Sequence, residues 1–349
     1  MTNAETAVAH VEHYLRAWHV AWAAERALHT DDEGVDFARW GAAINAVDDA
    51  FFVSGQRSDS AGSFGMPATH DPETARVEDV VVDGNRATVF VTSSGALARH
   101  HEFELVRDGD GWRIAAQFMF LQEREAPAVK PDEAEAALAA ATLDGEMGEI
   151  TDGTAVNGDS LFRAGRTLTR DGVETTTAVE RVGVLRLRSG VLDVRDLGYD
   201  IYDYSVIARR VPPGDYPVEI VTAFGRVAAA RVVFRDVASV GFRTAECTAG
   251  GHVVGVDAGN VAIVDAASLC ATRARRQSRL FDELFARDMP NAVMLPLVEQ
   301  DEGVIVSSGF GDGAYPVYFG VDDAGDPVCL IVDFLVVADW QGEAYTNPA

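Results

Sequence analysis

Apolar residues recur at helical spacing over the first fifty positions. Val8, Val11, Leu15, Trp18 and Trp22 follow one another at steps of three and four, which places all five on one stripe of a helix over residues 4–28. Thr30, Asp31, Asp32 and Gly34 interrupt it. Phe37, Trp40, Ile44, Val47 and Phe51 repeat the spacing and predict a second helix. Ser54 to Pro72 is rich in Ser, Gly and Asp and reads as a loop. From about Ala75 the period changes to two. Val-Glu-Asp-Val-Val-Val runs into Asp83-Gly84, a hairpin signal, and Ala87, Val89 and Val91 share one face of the next strand. A strand near His100 to Val106 carries Phe103 and Leu105. Another follows the turn Asp108-Gly109-Asp110-Gly111.

Residues 123–160 have the composition of a boundary, with Ala126, Pro127 and Lys130-Pro131 stopping the last strand and a short helix over DEAEAALAAA. Beyond Ser160 the pattern predicts short strands set off by Gly/Asp turns, including LFRAGRTL, TTTAVERVGVLRLRSG and VLDVRDLG. A strand pair is expected at Val253 to Val256 and Val261 to Val264, joined through Asp257 to Asn260. One helix is expected over Ala266 to Arg287, ended by Pro290. A hairpin occurs twice. Gly214, Tyr216, Pro217 and Val218 recur as Gly313, Tyr315, Pro316 and Val317 at an offset of 99, and Gly225 and Phe234 recur as Gly325 and Phe334 at an offset of 100. One residue is therefore inserted before the turn glycine. Each proline lacks a donor and belongs at a strand start or edge.

The resulting fold class is α+β. An N-terminal domain over 1–125 pairs two helices with a curved antiparallel sheet, and a linker with a short helix covers 126–159. A β-rich antiparallel domain, sandwich or barrel-like with one helix, covers 160–349. A chain of 349 residues, 48% hydrophobic, suits two domains. The net charge of -26 disfavours nucleic acid and anionic lipid as partners, because phosphate needs compensating positive charge. It suits a basic protein. No apolar run approaches a membrane span, and no signal-peptide pattern opens the chain, so a cytoplasmic protein is expected. The three cysteines, Cys247, Cys270 and Cys329, lack metal or disulfide spacing.

Two resemblances add to this reading. Residues 4–122 resemble the nuclear transport factor 2-like fold, and within it the bacterial immunity-protein branch. The similarity is carried by Trp40, Ile44, Phe51 and Phe52 and by Asp110-Gly111-Trp112-Arg113-Ile114 through Phe120. It implies a cone-shaped α+β domain, in a superfamily that holds isomerases, dehydratases and non-enzymes. Residues 185–334 resemble the bacterial domain-of-unknown-function family 4241. The motifs are LRLRSGVL, VPPGDYPV at 211–218, AAARVVF at 228–234, GVDAG at 255–259 and GFGDGAYPV at 309–317. That resemblance implies no particular activity.

Candidate chemistry is sparse. Asp333 lies within an apolar run, where an unpaired carboxylate is costly. With Asp257, Asp312 and Tyr315 in nearby glycine-rich turns it forms a candidate cluster, set against simple turn capping. His19, Trp40 and His101 are candidates to line an N-terminal cavity. His10 and His13 fall on the polar face of the first helix, and His100-His101 point to opposite sheet faces. Asp322 to Asp326 lacks calcium-loop spacing and reads as an acidic turn. No HExxH, G-x-S-x-G or P-loop is present, and no cofactor or metal is implied. The leading expectation is a non-enzymatic binding protein, in the manner of an immunity protein that neutralises a basic toxin. The alternative is a small-molecule binder or enzyme using the cone cavity or the Asp cluster.

Overall fold

The computed structural model describes residues 2–29, 34–94, 99–109, 111–150, 158–170, 172–198, 201, 203–284 and 290–337. The chain divides into two compact units, Met1–Arg124 and Glu125–Ala349.

In unit 1, α1 (Asn3–Leu28) begins with a capping box in which Thr2 and Glu5 satisfy each other's backbone N–H groups. The Asp36 carboxylate caps α2 (Phe37–Phe51) by accepting from the N–H groups of Ala38 and Arg39. Four antiparallel strands follow in sequential order: β1 (Ala75–Asp83), β2 (Arg86–Ser93), β3 (Arg99–Asp108) and β4 (Gly111–Phe120). The helical stripe and the inward strand faces form one core. Val11, Leu15, Trp18, Trp40 and Ile44 pack with Val89, Val91, Phe103, Leu105 and Ile114. Trp18 and Trp40 meet edge to face at 5.4 Å, and the Trp40 indole N–H donates to the carbonyls of Ser60 and Ser63. The loop before β1 is thus tied to α2.

In unit 2 the segment after Glu125 is built into the fold rather than strung outside it. After α3 (Pro131–Ala140), Thr142 N–H donates to Ala208 and Arg210 N–H donates to Thr142. Gly145 lies so close to the backbone of Ala208 that a Cβ would stand 1.9 Å from its carbonyl oxygen. The larger sheet runs β5 (Gly148–Glu149), β12 (Gly241–Thr244), β17 (Gly313–Val321), β18 (Pro327–Asp333), β11 (Arg226–Val233), β10 (Gly214–Ala223), β8 (Ala178–Leu187), with β13 (Val253–Val256) pairing β17. The smaller runs β15 (Ala292–Leu295), β16 (Gly303–Ser307), β14 (Asn260–Asp265), β9 (Leu192–Arg195). A separate hairpin joins β6 (Thr167–Arg170) to β7 (Val173–Thr176).

The two sheets enclose the main core. Val218, Ile220, Val232, Phe319, Leu330 and Val332 of the larger meet Val261, Ile263, Val304 and Val306 of the smaller. The outer face of the smaller sheet, through Ala262, Val264 and Ile305, packs on Ala134, Leu269 and Leu280 of the helices. Strand β14 is buried on both faces, which explains its unbroken apolar run. The arrangement is two packed sheets, not a closed barrel.

Four local expectations are corrected. The single helix expected over Ala266 to Arg287 is two, α4 (Ala266–Cys270) and α5 (Ala274–Leu284); its expected end, including Phe285 and Arg287, lies outside the described residues. Asp265 caps α4 by accepting from Ser268, and Ala271 N–H closes it onto Ala267. Val253–Val256 and Val261–Val264 do not pair with each other. Strand β13 pairs β17 in register Val256 to Gly313, whereas β14 pairs β16 and β9. The turn between them carries the chain from one sheet to the other, with Asp196 accepting from the N–H groups of Asp257 and Ala258. The strand expected at LFRAGRTL begins only at Thr167, and TTTAVERVGVLRLRSG is split at Thr177, whose hydroxyl donates to Arg163 and accepts from Arg166.

The repeated hairpin is a structural duplication. In both copies the tyrosine hydroxyl donates to a carbonyl four residues back, Tyr216 to Pro212 at 2.5 Å and Tyr315 to Gly311 at 2.8 Å. In both, its ring meets a phenylalanine edge to face at 5.2 Å, Phe234 for the first copy and Phe334 for the second. Each ring also folds over the motif glycine. A Cβ on Gly214 would stand 3.1 Å from the Tyr216 ring, and one on Gly313 would stand 3.3 Å from that of Tyr315. Both prolines precede the first pair of their own hairpin, Val218 to Val232 and Val317 to Val332. Strands β11 and β18 join the copies antiparallel, with Arg231 facing its own equivalent, Ile331. Phe234 N–H donates to Val328 and Phe334 N–H donates to Ala228, which are again equivalent bonds.

Tyr315→Phe removes a bond that the buried ring holds in place, and is expected to destabilise unit 2 by about 1 kcal/mol in urea unfolding. Tyr216→Phe, at the more exposed copy, is expected to cost less. Equal costs near zero would show that the hydroxyl bonds do not brace the hairpins.

Candidate functional site

The polar interior of unit 1 is the least conventional part of the molecule. Asp48 of α2, Tyr14 of α1, Gln117 of β4, His70 of the pre-β1 loop and His101 of β3 converge within the core. The helical spacing that buries Val11, Leu15 and Trp18 also turns Tyr14 inward, and Asp48 follows Ile44 by one turn. The Tyr14 hydroxyl lies 3.4 Å from Asp48 Oδ1 and 3.2 Å from Gln117 Oε1. Gln117 Nε2 stands 3.1 Å from His70 Nε2, and the His70 ring meets that of His101 at 4.7 Å. Asp48 accepts from both the N–H and the hydroxyl of Ser58 at 2.8 Å.

Burial governs the electrostatics. Asp48 is raised above the ordinary carboxylate range, chiefly by desolvation and against the opposing bonds from Ser58. Tyr14 is pushed upward by burial and by the Asp48 charge. His101 is pushed down to about 4 by burial, with Arg99 next in effect, and His70 well below its ordinary value by burial and by His101. Both imidazoles are therefore neutral at pH 7. Neither nitrogen of His101 meets a hydrogen-bond partner among the described residues, and the same holds for Trp18 Nε1, whose ring lies 4.9 Å from His70.

The three residues expected at an N-terminal cavity take different positions. His101 reaches the interior. Trp40 is wholly buried and fixed by two carbonyls, so it belongs to the core. His19 is half-buried beside Trp22 at 5.5 Å. His10, expected to be solvated, is half-buried, with Nε2 3.2 Å from the Phe51 carbonyl oxygen and its pKa lowered first by burial. His100 takes the face opposite His101, against Thr92 Oγ1. Sequence reasoning missed Tyr14, Asp48, His70 and Gln117. Tyr14 and Asp48 carried a signal, each adjoining the apolar stripe of its helix. His70 carried none, being a single residue in an aperiodic loop.

In unit 2, Asp333 is fully buried at the end of β18, and its Oδ1 accepts from the N–H of Leu335 at 2.9 Å. Leu335 has a φ of 57°, so the carboxylate braces a left-handed turn. Asp257 and Asp312 are exposed, in turns that flank the Val256 to Gly313 pair. Tyr315 is held by Gly311 and Phe334, and its pKa is raised by burial first and then by Asp312. No group of three or more His, Cys, Asp or Glu able to hold a metal ion occurs among the described residues. Asp322 accepts from Ala324 and Asp326 in an acidic hairpin turn.

A second buried polar group lies on β9, where Asp193 accepts from Arg195 Nε at 2.7 Å and the guanidinium stacks on Tyr204 at 4.9 Å. Burial raises Asp193 against the pull of Arg195. Cys247 is pushed up to about 11 by burial, with Asp193 adding to it, so the group present at neutral pH is the thiol, a weak nucleophile.

Residues 185–332 match the family described as "Protein of unknown function (DUF4241)", which covers both hairpins of the duplication. No curated protein and no solved structure matches the chain. No helix among the described residues is long and apolar enough to cross a membrane.

The bracing role of Asp333 separates two substitutions. Asp333→Asn keeps a side-chain oxygen for Leu335 N–H and is expected to leave unit 2 close to wild type. Asp333→Val, the residue at the equivalent place in the first copy, strands that N–H at a cost of about 1–3 kcal/mol. Denaturant unfolding of both variants checks this ordering.

Proposed function

We propose that this chain is a non-enzymatic binding protein whose partner is a basic protein, in the manner of an immunity protein that neutralises a toxin. The observation that carries the reading is the net charge of -26. Charge of this size steers a cationic partner and repels polyanions. The resemblance of residues 4–122 to immunity proteins with a nuclear transport factor 2-like fold supports it, and so does the arrangement of two helices against a four-stranded antiparallel sheet. Much of the candidate chemistry in unit 2 has a structural duty: Tyr315 braces a hairpin and Asp333 braces a turn. One surface groove of unit 1, about 260 Å³, contributes little to charge steering. Its carboxylates Asp49 and Asp108 are already matched by Arg57 and Arg113.

A second reading is a small polar ligand held in the interior of unit 1, favoured by the unpartnered nitrogens of Trp18 and His101 around His70. Such a ligand would accept from the indole and engage an imidazole.

The test is capture of partners by the purified chain from cells of its source, followed by co-expression with each basic candidate. A captured basic toxin whose lethality is suppressed, with affinity falling tenfold or more between 50 and 500 mM salt, is the expected result. Absence of any neutralised toxin, with thermal stabilisation by a small metabolite that His101→Phe abolishes, would replace the first reading with the second.

A further inference from the structure

We propose that the His70–His101 pair makes unit 1 acid-labile, so that it opens in mildly acidic solution while unit 2 remains folded. The geometry is a pair of imidazoles, each about 1% exposed, with ring centres 4.7 Å apart. Among the described residues the charged groups that act on the two rings are cations or other imidazoles, so a proton on either ring meets no carboxylate that would offset it. Around the pair stand Trp18 and Tyr14 of α1, Gln117 of β4 and Phe103 of β3, with Arg99 acting on it through its charge and His100 acting on His101 from the opposite sheet face. The only cation among these, Arg99, opposes protonation of both rings. Asp48 is separated from the imidazoles by Tyr14 and Gln117.

The sign follows from linkage. Both folded pKa values lie below that of an unfolded imidazole, about 6.5, so the unfolded chain binds more protons as pH falls. Stability is therefore fully present above about pH 6.5 and is lost as pH falls towards the folded values. For one such imidazole, with a folded value near that of His101, the unfolding constant rises roughly 20-fold between pH 7 and pH 5. The half-buried His10 acts in the same direction. Asp48, raised in the folded state, opposes the loss. In unit 2 the buried Asp193 is likewise raised, which favours that unit as pH falls. The buried histidines of unit 1 and the buried Asp193 of unit 2 thus respond to acid with opposite signs.

The test uses the full chain. Trp18, Trp22, Trp40 and Trp112 lie in unit 1 and Trp340 in unit 2, so tryptophan emission of a Trp340→Phe chain follows unit 1, while pulse-labelled hydrogen exchange of peptides from the strands of the larger sheet follows unit 2. Denaturant titrations at pH 7 and pH 5 are expected to separate the two signals at pH 5, with the fluorescence midpoint moved down and the other retained. His101→Phe is expected to reduce the pH-dependent change of the fluorescence transition by roughly 20-fold in the unfolding constant. An unchanged pH dependence in that variant, or equal movement of both transitions in the Trp340→Phe chain, overturns the proposal. Should the variant not fold, imidazole resonances of the wild type decide. Two that stay neutral down to pH 5 support the device, and ordinary titration of all eight near pH 6.5 overturns it.

Discussion

The ladder between β11 and β18 is the contact on which unit 2 depends. It joins two copies of one hairpin about a local two-fold axis, with Arg231 and Ile331 facing each other across it. A single register places Ala230 and Val232, with Leu330 and Val332, on the core side and Arg231, Cys329 and Ile331 on the other. Slipping the register by one residue would turn both copies inside out at once, so the core side fixes the pairing strongly. The opposite face is where the copies differ. Around Ile331 and Cys329 a small apolar cluster forms with Tyr318 and Val328, against Phe162 and Phe242. Around Arg231 the same face is ionic, with Glu219 at 2.6 Å and Asp159 at 3.3 Å, and the guanidinium lies over Phe162.

The duplication also explains why so much of the Gly-x-Tyr-Pro-Val motif is backbone engineering. The glycine makes room for the ring, the ring's hydroxyl secures the loop before the strand, and the proline marks where hairpin pairing begins. Both hairpins share a bulge at the same place, Val221 to Thr222 in the first and Gly320 to Val321 in the second. The inserted residue of the second copy falls in the turn. A two-residue turn with both φ values positive, Phe224 and Gly225, becomes the longer acidic turn closed by Asp322.

Features set by neighbours in sequence were legible from sequence alone. The stripes of α1 and α2, the four strands of unit 1 and the Tyr-Pro hairpins all rest on local period or on turn chemistry. The departures share one cause. The separation of β13 from β14, the break between α4 and α5 and the division at Thr177 depend on which group farther along the chain takes up the backbone groups. Asp196, the backbone of Ala126 and Ala128, and the carbonyl of Arg166 do this at those three places. The polar interior of unit 1 was legible only in part for the same reason. His101 announced itself by strand alternation, whereas His70 enters the core only because its loop is secured to Trp40 and to Gln117.

An internal repeat provides its own control for reading a candidate site. What both copies keep is what the hairpin needs, and what one copy alone carries requires another explanation. Asp333 stands where the first copy has Val233, and a carboxylate in an apolar strand invites a chemical role. Its partner is the N–H of Leu335, in a left-handed turn, whereas at the equivalent point of the first copy Arg235 N–H donates to the carbonyl of Val328. The substitution follows a change in backbone course. The imidazoles of unit 1 have no such account. Backbone geometry does not require His101, its nitrogens satisfy no neighbour among the described residues, and its burial costs stability whenever a proton is available. A residue that burdens the fold in this way is the better place to look for function than a carboxylate that supports it.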